Sequence, residues 1–294
     1  MKILVIGTGQ LGTAIKNNYQ YNNPQNDEYF FLGHNELDIT KEESLKNAFD
    51  KIKPNVVINC AAYTNVEKAQ EETDKAYKVN STGVYNLRTI CKKYKAYLIH
   101  ISTDYVFDGE KGTPYNENDF VSPLNNYGMT KLSGEVMLSE NKNALIIRTS
   151  WLYSIYGENF LTKMVKMMKN GEKISVVCDQ VGCPTNAEFL ADDIIKIISE
   201  RTYKDKSGLY HYSGNGCCSW FDFAKMIEFF LIQEEIIKSG QCNVVPCFTK
   251  DTPSKVKRPK YSVLDNTKFN KDFGDKTYLE NHWCTDVYLA ILKL

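Results

Sequence analysis

Apolar and polar positions in the first half of the chain switch between two periods. Lys2–Ile6 is a short aliphatic run ending in glycines, which predicts a buried parallel strand. From about residue 10 to 19 the spacing turns helical. Residues 29–32 predict a second strand. The acid-rich stretch from Asp38 to Glu43 opens a helix reaching about Lys51, with Thr40 as its cap and Glu43 placed three residues on, as in a capping box. Residues 56–58 predict a third strand, and the pattern from Thr73 through Val79, Leu87 and Cys91 a long helix. A fourth strand over 97–101, a helix over Asn126–Leu138 and a fifth strand over 145–147 follow. Strands alternating with helices in this way predict an α/β fold built on a doubly wound parallel sheet with right-handed crossovers.

The second half alternates less cleanly. Helices are expected over 160–168, 187–198 and 220–231, a strand over 208–212, a loop over 246–259 and a closing helix near 279–292. No internal repeat or low-complexity linker separates the halves, so the second lobe is expected to be interwoven with the first.

Composition narrows the class. With 294 residues, 43% hydrophobic and 24% charged, the chain is neither disordered nor collagen-like. Lys+Arg and Asp+Glu are 36 each, and a net charge of zero argues against nucleic acid as a partner. No apolar run approaches the roughly 18–20 residues that cross a bilayer, so no membrane partner is expected. The run from Met1 straight into a strand reads as lacking a secretory leader, which predicts a cytoplasmic protein. The nine cysteines are scattered without a C-x-x-C pair, and the four histidines lie far apart in sequence. Neither a disulfide framework nor a zinc site is expected, and no metal ligand is assigned.

Two stretches carry chemistry. Gly7-Thr8-Gly9-Gln10-Leu11-Gly12 is a G-x-G-x-x-G between the first strand and the first helix, the context that dinucleotide binding requires. Its glycines permit the tight turn, let backbone approach a pyrophosphate, and let helix and strand pack closely. Residues 1–150, with returning segments near 185–215, are therefore read as the dinucleotide-binding domain, and 151–294 as mainly a substrate-binding lobe. The second strand ends Leu32-Gly33-His34-Asn35 with neither an acid nor an arginine at its tip. Asp38 lies a few residues past that tip, so the choice between NADH and NADPH stays open.

The second stretch pairs Tyr127 with Lys131, four residues apart on one helical face. A nearby cation favours the phenolate, so Lys131 is expected to draw the Tyr127 pKa toward working pH. Ser102-Thr103-Asp104 ends the fourth strand, at the sheet edge where open parallel sheets place ligands. Thr103 is expected to border the same cleft and to donate a hydrogen bond to a substrate carbonyl.

Together these residues resemble the extended short-chain dehydrogenase/reductases and, within them, the dTDP-4-dehydrorhamnose reductase family. Matching segments run through most of the chain. They include Gly9-Gln10-Leu11-Gly12, Leu37-Asp38-Ile39-Thr40, the run from Pro54 to Thr64, the run from Ser102 to Gly109, Arg148-Thr149-Ser150-Trp151, Gly182-Cys183-Pro184-Thr185 and Arg258-Pro259. The resemblance implies a Rossmann-like fold. It also implies NADPH- or NADH-dependent reduction of the 4-keto group of a dTDP-6-deoxyhexose, dTDP-4-dehydro-L-rhamnose giving dTDP-L-rhamnose.

By the same resemblance Tyr127 is the proton donor, Lys131 holds the nicotinamide ribose and tunes Tyr127, and Thr103 adjusts the proton-transfer site. Cofactor contacts are implied at Gly7, Gly9, Gln10, Leu11, Gly12, Asp38, Ile39, Ala61, Ala62 and Tyr63 as well as Tyr127 and Lys131. Sugar-nucleotide contacts are implied at Thr103, Asp104, Trp151 and Arg258. A homodimer, and a Mg2+ ion at a subunit contact, are further implications. The chain departs from the pattern where many members carry a glycine turn one residue longer, and where some carry histidine in place of Tyr63. Tyr105 follows Thr103-Asp104 where related dehydratases carry glutamate, which argues against dehydration. Another sugar-nucleotide ketoreductase or epimerase stays open. So does a non-catalytic subunit like the regulatory subunit of methionine adenosyltransferase, although retention of Thr103, Tyr127 and Lys131 favours an enzyme.

Overall fold

The order of elements in the computed structural model, which describes residues 1–21, 23–254, 256–274 and 282–294, begins with β1 (Lys2–Ile6), α1 (Gln10–Asn18), β2 (Glu28–Leu32), α2 (Glu42–Ile52), β3 (Val56–Asn59), α3 (Val66–Glu71) and α4 (Thr73–Tyr77). A five-residue π-helical segment, Lys78–Thr82, leads into α5 (Gly83–Tyr94), β4 (Tyr97–Thr103), α6 (Asn126–Leu138), β5 (Ala144–Thr149), β6 (Leu152–Tyr153) and α7 (Phe160–Lys169). The remainder runs β7 (Lys173–Val177), β8 (Val181–Gly182), β9 (Thr185–Asn186), α8 (Ala187–Ser199), β10 (Gly208–His211), β11 (Cys218–Ser219), α9 (Trp220–Gln233), β12 (Asn243–Cys247), α10 (Thr267–Phe273) and α11 (Trp283–Ile291).

Six of these strands form one parallel sheet in the order β10-β5-β4-β3-β1-β2. Successive side chains along β1 explain how both faces are covered. Ile3 and Val5 pack with Ile58, Ile99 and Ile147 against Leu190 and Ile194 of α8, whereas Leu4 and Ile6 pack with Val57, Leu98 and Ile146 against Leu45, Phe49 and Leu87. A strand buried on both faces has no polar side to show, which is why these segments read as unbroken aliphatic runs. A separate apolar cluster, including Leu161, Met164, Phe223, Ile227, Trp283 and Val287, organises the lobe built from α7, α9 and α11.

Three expectations change. Thr40 does not cap α2: Lys41 holds the N-cap position, and the Thr40 hydroxyl donates instead to Asp38 Oδ1 at 2.7 Å. Asp38 also accepts from the Thr40 backbone N–H, and this local turn competes successfully with the cap. The long helix after Thr73 is interrupted by the π segment, where Asn80 turns its side chain away from the helix to serve a neighbouring loop. The expected loop at 246–259 begins within β12, which pairs in parallel with β7. Of the closing helix expected near 279–292, residues 279–281 lie outside the described residues.

Candidate active site

The strand order reverses direction at β1 and β3, and an open parallel sheet binds ligands at such a switch point, beyond the carboxyl ends of its strands. Gly7 leaves β1 at φ +98°, and a Cβ there would stand 2.7 Å from the Ala61 nitrogen, so only glycine lets the turn lie against the chain leaving β3. A Cβ on Gly12 would lie 1.9 Å from the Gly7 carbonyl oxygen. Gly9 differs, because nothing stands within 4 Å of where its Cβ would be. Gly9 is also the N-cap of α1 and provides no side-chain cap for the first N–H groups of the helix. Donors and a positive helix end converging on a side-chain-free surface suit a pyrophosphate. The fit expected of a dinucleotide is therefore present. Leu11 is core and offers only backbone, while Gln10 Oε1 accepts from Ser154 Oγ at 3.2 Å and ties the turn to the second lobe.

Loops after β2 and β3 extend this cradle. Asp38 Oδ2 lies 3.4 Å from Lys41 Nζ. Burial would raise its pKa, but the Thr40 hydroxyl and backbone, with Lys41, bring it below the usual range. Ile39 is buried against Gly83, and its carbonyl accepts from Asn86 Nδ2 at 3.1 Å. Ala61 and Ala62 are half-buried, with the Ala61 N–H donating to Asn59 Oδ1 at 3.2 Å. Asn80 holds Tyr63 from both sides, accepting from its N–H at 2.8 Å and donating to its carbonyl at 3.0 Å. The same Nδ2 donates to Thr130 Oγ1 at 3.0 Å, and that hydroxyl donates to the Tyr127 carbonyl at 2.8 Å. Asn80 thereby couples the loop after β3 to the first turn of α6.

Tyr127 stands on that first turn because Asn125 caps α6, its side chain accepting from the Gly128 N–H at 2.9 Å. Burial pushes the phenol above its usual pKa; side-chain hydrogen bonding with Thr103 lowers it, and Asp104 and Tyr105 raise it. Tyr105 meets the Tyr127 ring edge-on, with centroids 5.7 Å apart. Thr103 Oγ1 donates to Asp104 Oδ1 at 3.0 Å and accepts from the Tyr105 N–H at 3.2 Å. Lys131 is buried and its ammonium donates to the Ile101 carbonyl at 2.6 Å. Burial pushes Lys131 down to about 8, against the raising influence of Glu135 and Cys60.

Trp151 packs within the second lobe, whereas Arg258 lies close enough to Tyr105 to act on its phenol. Trp151 has φ +45°, and its indole stacks on Trp220 with centroids 3.5 Å apart and planes 5° apart. Gly182 leaves room for that indole, since a Cβ there would come within 2.5 Å of the ring. Arg258 donates to Glu67 Oε1 at 2.7 Å and Ser254 Oγ at 3.2 Å, and it lowers the pKa of the Tyr105 phenol, which burial raises. Asn125 Nδ2 donates to the Lys257 carbonyl at 2.9 Å, so the loop bearing Arg258 is anchored to the cap of the helix that bears Tyr127. Of the lysines that neighbour Arg258 in sequence, Lys255 lies outside the described residues. The structure thus brings Thr103, Asp104, Tyr127, Lys131 and Arg258 to one edge, with the glycine turn and Ala61 beside it. Asp38 and Ile39 sit apart, beyond the end of β2.

A buried polar seam between α6 and the sheet was missed from the sequence. Glu135, Arg148, His100, Ser102 and Asn59 are all buried, and His211 is fully so. The signal was an arginine ending an otherwise aliphatic strand, since a charged side chain in a buried strand requires a partner. Among the described residues, no group of three or more His, Cys, Asp or Glu side chains could hold a metal ion, and no helix is long and apolar enough to cross a membrane.

Asp104 makes a pH prediction. Burial lifts its carboxyl to about 6, with Ser262, Thr103 and backbone groups lowering it, from an ordinary 3.8. The folded state then holds this proton more tightly than the unfolded chain. The group's stabilising contribution is complete below about 4 and is lost as pH rises through about 6. Asp104→Asn is expected to be more stable than the parent at pH 8 by about 2 kcal/mol, the gain vanishing near pH 4. Urea unfolding at the two pH values checks this, and an equal difference at both would contradict it.

A family model described as RmlD substrate binding domain matches residues 1–293. A dTDP-4-dehydrorhamnose reductase of Aggregatibacter actinomycetemcomitans is 38% identical over 281 residues, 93% of each chain. The crystal structure of a dTDP-4-dehydrorhamnose reductase from Clostridium acetobutylicum is 39% identical, covers 100% of both chains and superposes with a TM-score of 0.89. One from Bacillus anthracis, in complex with NADP, is 33% identical with a TM-score of 0.88, covering 100% of this chain and 99% of that one.

Proposed function

We infer, because this chain belongs to the dTDP-4-dehydrorhamnose reductase family, that it reduces the 4-keto group of a dTDP-6-deoxyhexose with a reduced nicotinamide dinucleotide. Its substrate on this reading is dTDP-4-dehydro-L-rhamnose and its product dTDP-L-rhamnose. The observation that carries the reading is the placement of Tyr127 edge-on to Tyr105, the residue that follows Thr103-Asp104 at the carboxyl end of β4, together with a glycine turn kept open at Gly9.

When bound, the reduced nicotinamide supplies the hydride that C4 receives. The glycine turn from Gly7 to Gly12, the loop Ala61–Ala62–Tyr63 and Lys131 hold the dinucleotide, with Asp38 and Ile39 at its far end. Tyr127 gives its proton to the oxygen of the former keto group. A half-buried phenol with a raised pKa keeps that proton across working pH, so the donor is loaded when the oxygen becomes basic. Thr103 faces the phenol and steadies charge on either oxygen. Trp151, held flat by Trp220, forms an apolar wall for the sugar nucleotide. Arg258 supplies positive charge for its diphosphate, exchanging its bond to Glu67 for one to the ligand.

The test is turnover. Purified protein given dTDP-4-dehydro-L-rhamnose is expected to oxidise NADH or NADPH, followed at the nicotinamide absorbance, with dTDP-L-rhamnose identified as product. Two cofactors assayed in parallel give the preference. Absence of oxidation with both, in protein that binds the dinucleotide, would leave a binding role in its place.

A further inference from the structure

Lys131 and Glu135 stand one turn apart on α6, both buried between that helix and the sheet. An ammonium and a carboxylate at this spacing ordinarily close into an ion pair, and more strongly where water is excluded. Here they do not. Glu135 spends both oxygens on Arg148 of β5, with Nε donating to Oε1 at 2.9 Å and one terminal nitrogen to Oε2 at 2.6 Å. Ser102 Oγ donates to the same Oε1 at 2.5 Å. Lys131 is left with a neutral acceptor, the Ile101 carbonyl.

We propose that Arg148 is a positioning residue for the reduction: by occupying Glu135 it leaves the Lys131 ammonium free to turn to the cofactor ribose. The proposal rests on the reading that Lys131 binds the dinucleotide.

The surroundings of both groups support it. From the end of β3, Cys60 faces Lys131 as a neutral thiol, burial having pushed it up to about 12. From β4, His100 faces it as a neutral imidazole, held far below its usual pKa by burial and by Lys131 itself. His100 Nδ1 lies 3.0 Å from Asn59 Nδ2, and its other nitrogen has no hydrogen-bond partner among the described residues. On α6 itself, Glu135 is the charged group acting on Lys131, and it is already neutralised. Among the described residues, no neighbour but Glu135 therefore competes for the ammonium by charge.

The guanidinium in turn is fixed from several sides. His211 Nε2 lies 3.4 Å from one of its terminal nitrogens and the Phe107 ring 5.0 Å from its carbon. His211 is neutral, burial and Arg148 having pushed it to about 3, and its Nδ1 lies 2.9 Å from the Tyr115 carbonyl. A planar fork suits the two-pronged grip on Glu135, whereas lysine would present a single point charge.

Arg148→Met is the first test variant. Freed of its partner, Glu135 captures Lys131, and the KM for the reduced dinucleotide is expected to rise by about 10–100-fold, the worth of a charge-assisted hydrogen bond. kcat is expected to fall less. The alkaline limb of the kcat/KM profile, set in the parent by Lys131 near 8, moves to higher pH because a facing carboxylate stabilises the ammonium. The double variant Glu135→Gln, Arg148→Met removes the competing carboxylate. Its KM is expected to return to within about three-fold of the parent and its limb to return to about 8 or below. A purely structural ion pair would give no such rescue.

Unchanged KM and limb in Arg148→Met overturn the proposal, as does a folded double variant whose KM stays raised. If the single variant does not fold, the double variant decides alone by the same KM criterion. Lys131→Met separates the premises: an unchanged cofactor KM there removes the role given to Lys131, whereas a raised KM there with an unaffected Arg148→Met removes only the role given to Arg148.

Discussion

Tyr127→Phe is expected to lower turnover by about 10²–10⁴-fold, the usual worth of a positioned proton donor, while leaving dinucleotide affinity essentially unchanged. The reasoning starts from the sequence, where Asn125 caps α6 and puts residue 127 on its first turn. The edge-on contact with Tyr105 then holds the ring near the end of β4. Phenylalanine fills the same space and keeps the edge-on contact with Tyr105, so the loss falls on the proton and not on the packing. Because burial raises the phenol's pKa, loss of its proton does not limit the rate near neutrality. The alkaline limb belongs to Lys131, and it should persist in whatever activity Tyr127→Phe retains. Steady-state kinetics with a fluorescence titration of the reduced cofactor check both halves. Near-parent turnover would remove Tyr127 from its role.

How much of this was legible in the sequence depends on the range of the signal. The bounds Asn126–Leu138 expected for α6 are those of the structure, in which Asn125 caps its first turn. The strands β1, β3, β4 and β5 were readable because burial on both faces leaves aliphatic runs. Short pairings such as β6 with β9 and β8 with β11 span two residues each, too few for any period, and join segments distant in the chain. The π segment at Lys78–Thr82 was hidden because its cause is tertiary: Gly134 brings α6 so close that a Cβ there would stand 2.2 Å from the Asn80 carbonyl oxygen.

The same distinction runs through the site. Thr103, Tyr127 and Lys131 announce themselves by type and spacing, and the sheet edge on which they stand follows from the order of elements. What the spacing suggested about their coupling is different in the structure. The groups acting on the Tyr127 phenol are Thr103, Asp104 and Tyr105, and the Lys131 ammonium faces Ile101, Glu135 and Cys60. A Tyr-x-x-x-Lys spacing puts two side chains on one helix face, but the acceptors that the sheet supplies decide where a long lysine points. The pairings of Asn80 with Tyr63 and Thr130, 17 and 50 residues away, and of Glu135 with Arg148, 13 residues away, escaped notice because they join separate elements.

Two glycines of one turn should fail in opposite ways. Gly9→Ala is expected to fold with a stability loss of no more than about 1 kcal/mol, since its φ of −72° suits alanine and its methyl meets no atom within 4 Å. Affinity for the dinucleotide should nonetheless fall by about ten-fold or more, because that empty volume is where backbone must approach the pyrophosphate. Gly12→Ala meets the opposite situation. Its methyl would stand 1.9 Å from the Gly7 carbonyl oxygen, a backbone atom that is itself pinned by the contact between Gly7 and Ala61. The clash can be relieved only by parting α1 from β1, at about 3 kcal/mol and a Tm fall of about 5–10 °C. Thermal unfolding and cofactor titration of the two variants separate a turn shaped for packing from one shaped for a ligand. Equal losses of stability in both would mean that the space at Gly9 serves the fold, and the case for a pyrophosphate above α1 would lose its strongest physical support.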